Sequence, residues 1–381
     1  MMGMAIERKI KICHLSSVHR ATDTRIFYKE CRSLAKVYKV TLLALAEKSQ
    51  EVDGVKIIAL KNYQNRFLRF LITDFVLLVR AIGEGADVYH FHDPELIVTG
   101  LALRLAGKKV IYDVHEDVAS DLDEKKWLPF KSLAKAGYYL LESLAFRFSF
   151  YFVLAEKSYQ KKYLHHSAKY VVIQNFVPVK DFMFNNLPYN PSSKTIAFVG
   201  FLSAKRGLSH IIEALKILKD KGLIINLRCI GAINTDLSTI LEQSKSYPEI
   251  KEQVEFMGHI PFPESIYAAR DCLAGLALPE NIPNHFGSYP TKMFEYMAIG
   301  LPVISSDFDL YKDVVDKYEC GITVNPENSQ AIADAIEILI SNPDRALRYS
   351  NSGKEAVENF NWKTEEEKLL DFYEQIIGGK I

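Results

Sequence analysis

A carboxylate and an ammonium three residues apart, Glu295 and Lys292, stand in the string FGSYPTKMFEYMAIGLPVISS, which runs from Phe286 to Ser306. Ahead of it, the apolar run Cys272–Leu278 has the length of a buried strand rather than of a helix. The stretch Pro279–Tyr289 holds two prolines, two asparagines and a glycine and reads as a binding loop without regular structure. Thr291 or Ser288 can cap a helix whose Met293, Phe294, Met297 and Ala298 share one side. Gly300 supplies the stop, and Leu301–Ile304 begins the next strand. Lys292 and Glu295 then neighbour each other on the opposite face, close to the positive end of the helix. Cation, carboxylate and free backbone N–H groups together suit a ligand that carries both hydroxyls and phosphates.

Three further groups carry chemistry. A strand from Thr195 leads into GFLSAKRGL, Gly200–Leu208, where Lys205 and Arg206 flank a helix start, a natural anion site. Strand ends at Asp87–Asp93 and at Lys109–Asp117 deliver His92 with Asp93, and His115 with Glu116 and Asp117. Consecutive strands usually lie side by side, so these ends should meet, and imidazole beside carboxylate orients hydroxyls and moves protons near neutral pH. Beyond the first strand, Lys11–Ser16, the loop brings Arg20, Asp23 and Arg25 to a sheet edge. Two readings stand for them: a ligand site at the carboxyl edge of the sheet, or a helix-capping Asp23 with solvated arginines.

The elements that must position these residues alternate. Strands at Lys11–Ser16, Tyr38–Ala44, Val55–Leu60, Asp87–Phe91 and Lys109–Tyr112 are interleaved with helical patterns, including one from about Arg25 and one over Asn65–Ile82. A second series begins at Thr195 and continues through Leu227–Gly231, Val254–Gly258 and Gly321–Val324, with a helix at Ala331–Ser341 and a last one at Trp362–Ile377. This is the pattern of parallel, doubly wound α/β sheets. Asn185–Ser193 reads as a linker, giving a first domain over 1–184, a second over 185–361 and a terminal helix in 362–381. No GxGxxG follows the first strand and no GxxxxGK[ST] occurs, which removes support for dinucleotide chemistry and ATP hydrolysis.

Lysine plus arginine equals aspartate plus glutamate, 47 against 47, so no overall field favours nucleic acid. Five scattered cysteines without a CxxC pair fit reduced thiols. Charges at Glu7, Arg8, Lys9 and Lys11 break any signal-peptide core, and no uncharged apolar run nears the roughly 20 residues of a membrane span. A cytoplasmic chain is expected. Residues 125–139 mix Lys125, Lys126, Lys131 and Lys135 with Trp127, Phe130, Tyr138 and Tyr139. They suit either peripheral contact with the inner face of the plasma membrane or a helix start whose aromatics pack inward.

The string Glu295-Tyr-Met-Ala-Ile-Gly-Leu-Pro-Val, the loop Gly200–Leu208 and the opening DTRIFYKE resemble family 4 glycosyltransferases, retaining enzymes of GT-B fold, in a branch that builds cell-surface polysaccharide. The resemblance implies an α/β chain of two facing Rossmann-like domains with parallel sheets, the active site in the cleft between them and the last helix crossing back to the first. It implies a nucleotide-sugar donor, UDP- or GDP-linked, a glycan or polyprenyl-linked acceptor, and no metal or other cofactor. Glu295 would hold the donor ribose, while Arg206, Lys292, Gly200, Lys205, Pro290 and Thr291 would meet the diphosphate. Gly258 and Ile260 would frame the base, and His115 would serve the reacting centre beside His92, Asp93 and Glu116. Two family residues differ. Gly287 stands where a first glutamate is usual, and Phe201 replaces an arginine of the phosphate loop. A nucleotide-sugar 2-epimerase of the same fold and a non-catalytic, partner-binding homologue are the alternatives.

Overall fold

The computed structural model describes residues 9–61, 72–124, 130–166, 168–182, 188–232 and 237–381. They form two units, Met1–Asn175 with Lys363–Ile381, and Phe176–Trp362. The division falls before the expected 184/185. Phe176, Val177 and Val179 bury in the core of the second unit, and the Trp362 N–H donates to the Val177 carbonyl at 2.8 Å.

In the first unit, eight strands lie in the order β3-β4-β2-β1-β5-β6-β7-β8. They are β1 (Lys11–Arg20), β2 (Lys39–Leu45), β3 (Gln50–Val52), β4 (Val55–Leu60), β5 (Val88–Phe91), β6 (Lys109–Val114), β7 (Tyr151–Leu154) and β8 (Lys169–Val172). All pair in parallel except β3, which returns on β4 through Asp53-Gly54, both with positive φ, a two-residue hairpin absent from the sequence reading. β1 runs on past Ser16, its register on β2 shifting between Leu15 and Arg20. Helices α1 (Asp74–Glu84), α2 (Ile97–Leu105) and α3 (Lys131–Arg147) are neighbours in this unit. Of the expected helix Asn65–Ile82, residues 65–71 lie outside the described residues.

The second unit has the order β11-β10-β9-β12-β13-β14, all parallel, with β9 (Thr195–Val199), β10 (Asn226–Ile230), β11 (Val254–Gly258), β12 (Ala274–Ala277), β13 (Val303–Ser306) and β14 (Gly321–Val324). Strand order reverses at β9 and β12, the switch point where ligands of open α/β sheets settle. Helix α4 (Leu208–Asp220) follows β9, and α5 (Thr291–Ala298) joins β12 to β13. Helix α6 (Trp362–Gly378) packs in the first unit, burying Leu369, Tyr373 and Ile376. Lys109 Nζ fixes its end by donating to the Ile376 carbonyl at 2.6 Å.

Among the described residues, no helix is long and apolar enough to cross a membrane. The five cysteines are free and buried.

Candidate functional sites in the two units

In the second unit the loop after β9 and the start of α5 build a cavity of about 260 Å³. Arg206, Pro290, Thr291, Lys292, His285, Ser288, Tyr289 and Tyr311 contribute to its wall. Glycine geometry shapes the loop. Gly207 has φ +82°, and a Cβ there would lie 2.5 Å from the Leu278 carbonyl. A Cβ on Gly231 would come within 1.7 Å of the Gly200 carbonyl, so the ends of β9 and β10 can touch only as glycines. A Cβ on Gly200 would sit 3.1 Å from Arg206 Nη1 and 3.9 Å from Lys292 Cε. The Arg206 guanidinium and the Lys292 side chain therefore converge above one bare piece of backbone, with the Lys292 Nζ turned to Glu295.

Helix α5 begins at Pro290, which makes no side-chain cap. This corrects the expected cap from Thr291 or Ser288. Ser288 Oγ instead donates to the Asn284 carbonyl at 2.8 Å, closing the short helix Pro283–Phe286 in the stretch expected to lack regular structure. The first N–H groups of α5 carry no cap side chain and open beside the cavity. Glu295 is not on a solvated face, as its spacing from the apolar positions suggests. It is buried, with the Nζ of the more exposed Lys292 2.6 Å from its Oε2. Gly258 ends β11 and its carbonyl accepts from the Gly231 N–H at 2.8 Å; it, the half-buried Ile260 beyond it and exposed Lys205 lie outside the cavity wall. Phe201 is 45% exposed.

The first unit concentrates polar groups at the carboxyl ends of β1, β5 and β6. Arg25 is not solvated, which corrects the reading of it as a solvated arginine. Its guanidinium is buried and grips Asp113 with two bonds of 2.8 Å, and donates to the Ile173 carbonyl at 3.0 Å. Asp23 does cap the helical segment Thr24–Cys31, accepting from the Arg25 and Ile26 N–H groups at 2.9 Å. Arg20 is exposed and lies outside this network.

Asp113 joins the two histidine-bearing strand ends. Its Oδ2 lies 3.0 Å from His92 Nδ1 and 3.5 Å from His115 Nδ1. Burial alone would raise its pKa, but Arg25, His115 and His92 hold the carboxyl well below its usual range. Burial also opposes charging of His115, yet Asp113 raises it. His115 Nε2 faces His19 Nε2 at 3.4 Å. Burial opposes charge on His19 too, but Asp23 and Asp93 raise it to about 9. Asp93 is buried and accepts from Ser16 Oγ at 2.8 Å and the Ser17 N–H at 2.7 Å. Glu116 is exposed, with a carboxylate oxygen within 4.8 Å of ring nitrogens of His19 and His115.

The structure thus gathers His92, Asp93, His115, Glu116, Asp23 and Arg25 in one unit, and Arg206, Lys292, Pro290, Thr291, Gly200 and Glu295 in the other. It adds His14, His19, Glu30, His90, Asp113 and Tyr373, which the sequence reading did not select. Asp113 and His90 adjoin singled-out residues. His14 stands opposite His90 in the register of β1 on β5, a pairing that the structure supplies. Of the residues 125–139, 125–129 lie outside the described residues; Lys131 and Lys135 bond to Asp123, and Tyr138 packs inward against Glu142.

Residues 179–356 match the family of glycosyl transferases group 1. The chain is 27% identical over 196 residues to a phosphatidyl-myo-inositol mannosyltransferase of Mycobacterium leprae, covering 51% of this chain and 50% of that one. It is 26% identical over 164 residues to the capsular polysaccharide biosynthesis glycosyltransferase CapM of Staphylococcus aureus, covering 43% and 41%. The alignments span about half the length of these relatives or less. Among solved structures, sucrose-phosphate synthase from Thermosynechococcus elongatus superposes with a TM-score of 0.75 at 15% identity, over 97% of this chain and 100% of that one. HepE of Anabaena in complex with UDP-glucose gives 0.71 at 15% identity, over 96% and 100%.

Proposed function

Since residues 179–356 place this chain among the group 1 glycosyltransferases, family 4 with the GT-B fold, we propose that it transfers a sugar from a UDP- or GDP-sugar to a hydroxyl of a glycan or lipid-linked acceptor, with retention at the anomeric carbon. The observation that carries this reading is the convergence of Arg206 and Lys292 over Gly200, beside the uncapped start of α5 and with Glu295 buried behind Lys292. A diphosphate seated there meets two cations and aligned N–H groups, which stabilise the charge that grows on it as the sugar leaves. Donor binding then needs no metal. Drawing Lys292 toward phosphate uncovers the Glu295 carboxylate, which can accept from ribose hydroxyls. His115, oriented by Asp113, is assigned to the donor sugar or acceptor.

A role in cell-surface polysaccharide, at a membrane face, fits the apolar surface of three neighbouring helices. Exposed Phe75, Val79 and Ile82 recur on one side of α1, Val98 and Leu105 on α2, and Leu133 and Leu140 on α3. Co-sedimentation with anionic vesicles, lost in Phe75→Ser/Leu133→Ser, is the expected result; no sedimentation of the parent chain removes the membrane from the proposal.

The test of the donor site is calorimetric titration of UDP and GDP with EDTA present, on the parent chain and on Glu295→Ala. One nucleotide should bind, and the substitution should weaken it tenfold or more. Failure of both nucleotides to bind folded protein refutes the donor reading and leaves the non-catalytic homologue, with exposed Phe201 and Gly287 as its marks. Sugar-donor trials follow: free nucleotide formed only with acceptor supports transfer, whereas an epimerised nucleotide-sugar without acceptor supports the 2-epimerase.

A further inference from the structure

We propose that His14, His90, His92 and Glu30 form a binding site for a zinc-class divalent cation inside the first unit, apart from the nucleotide pocket. His90 lies on β5 and His92 one residue past its end, an alternation that puts both on one face, and His14 on β1 stands directly opposite His90. Two such positions and one across from them are a compact way for a sheet to present three imidazoles to one ion. Glu30 comes from the helical segment Thr24–Cys31 packed over that face. One ligand atom from each of the four lies within 4.8 Å of the others, and all four side chains are buried.

The surrounding hydrogen bonds leave His90 Nε2 and both Glu30 oxygens unpartnered and tie the remaining two imidazoles to each other. His92 Nδ1 lies 3.0 Å from Asp113 Oδ2; an ionised carboxylate only accepts, so Nδ1 carries the proton and Nε2 presents a lone pair. That is the carboxylate–histidine support common behind metal ligands. His90 Nδ1 is taken by the Tyr373 hydroxyl at 2.8 Å, while its Nε2 is buried without a hydrogen-bond partner. His14 Nδ1 donates to His92 Nε2 at 2.9 Å, so an ion binding between these rings replaces the shared proton of that hydrogen bond. The Glu30 oxygens are buried without a hydrogen-bond donor; Arg25 Nε lies 3.2 Å from Oε1 but is already committed to Asp113, and His90 Nδ1 lies 3.8 Å from Oε2. Buried polar atoms rarely stay unpaired, and three imidazoles with a carboxylate are a zinc-class donor set.

The test uses the full chain free of any polyhistidine tag and needs no sugar donor. Protein from zinc-supplemented cells should carry close to one equivalent of metal by elemental mass spectrometry. After unfolding with chelator and refolding with Co(II), it should show the visible bands of a low-coordinate cobalt site. Glu30→Gln and His90→Gln should each bind Co(II) at least tenfold more weakly, whereas His210→Gln, in the other unit, should bind as the parent does. Should the ligand variants fail to fold, the parent decides alone: zinc must raise its thermal midpoint after chelator treatment. Folded protein isolated without metal that takes up neither ion, or undiminished binding by both ligand variants, overturns the site.

Discussion

Replacing Arg25 by methionine should weaken the first unit far more than an exposed loop arginine would allow. The methionine keeps the aliphatic bulk and deletes the guanidinium, with its two 2.8 Å bonds to Asp113, its 3.0 Å bond to the Ile173 carbonyl and its contact with Glu30. Asp113 is fully buried, so its carboxylate would be left in a dry site without its cation. Breaking a buried pair from one side costs about 3–5 kcal/mol, a large part of the roughly 5–15 kcal/mol that holds a domain folded. Because the chain has two units, one global unfolding energy is ill-defined, and hydrogen–deuterium exchange by peptide is the better assay. Peptides over β1, β5 and β6 should exchange roughly 100- to 4000-fold faster, at about 1.4 kcal/mol per tenfold, while peptides over β9 and β12 stay unchanged. Arg25→Lys, which keeps the charge but not the two-pronged grip, should fall between. A change below about fivefold in the first unit, near 1 kcal/mol, would refute the reasoning and return Arg25 to the role of a ligand-facing surface residue.

His19 is raised to about 9, against burial, by Asp23 and Asp93. A raised folded value stabilises below the ordinary histidine range and fades as pH climbs, so exchange protection of β1 should fall between about pH 6.5 and 9, and His19→Gln should flatten that slope. The facing groups are Asp23, Asp93, Glu116 and His115; a slope unchanged by the substitution sinks the assignment. Gly207→Ala combines a positive φ with a Cβ 2.5 Å from the Leu278 carbonyl, so nucleotide binding by calorimetry should drop at least tenfold, and an unaltered affinity would show that the loop has room. Phe201→Arg places a cation where the side chain is already 45% exposed, so UDP or GDP should bind about tenfold tighter at little cost in thermal midpoint, the worth of a charge-assisted hydrogen bond. An affinity that does not rise would put position 201 out of reach of the phosphates.

The parallel sheets are readable because their strands are short, mostly apolar runs: Val55–Leu60, Val254–Gly258 and Gly321–Val324 appear in the structure with the bounds their patterns predict, although Lys56, Glu255 and Thr323 interrupt them. Boundaries failed where polarity misleads. β1 was expected to stop at Ser16 because Ser17, His19 and Arg20 look like loop, but its register on β2 resumes at Arg20 and pairs it with Leu45. Linker composition puts the domain division at Asn185–Ser193, whereas the packing of Phe176 and Val177 begins the second core earlier in the chain.

Site residues were legible in kind more than in environment. Motif and spacing single out Glu295, Lys292 and Arg206, yet helical periodicity puts Glu295 on a wet face when the structure buries it under Lys292. That difference changes the chemistry expected of it. An exposed carboxylate would wait for a ribose unassisted; a buried one, paired at 2.6 Å, can be reached only by a ligand that also draws off the lysine. A nucleoside carrying no phosphate offers Lys292 nothing in exchange, so it should bind far more weakly than its diphosphate even though both carry the same ribose. Titration of uridine or guanosine beside UDP or GDP measures this directly, with at least a hundredfold gap expected. Equal affinities would mean that Glu295 and Lys292 remain paired when the ligand is bound, and that the carboxylate holds the helix rather than the donor.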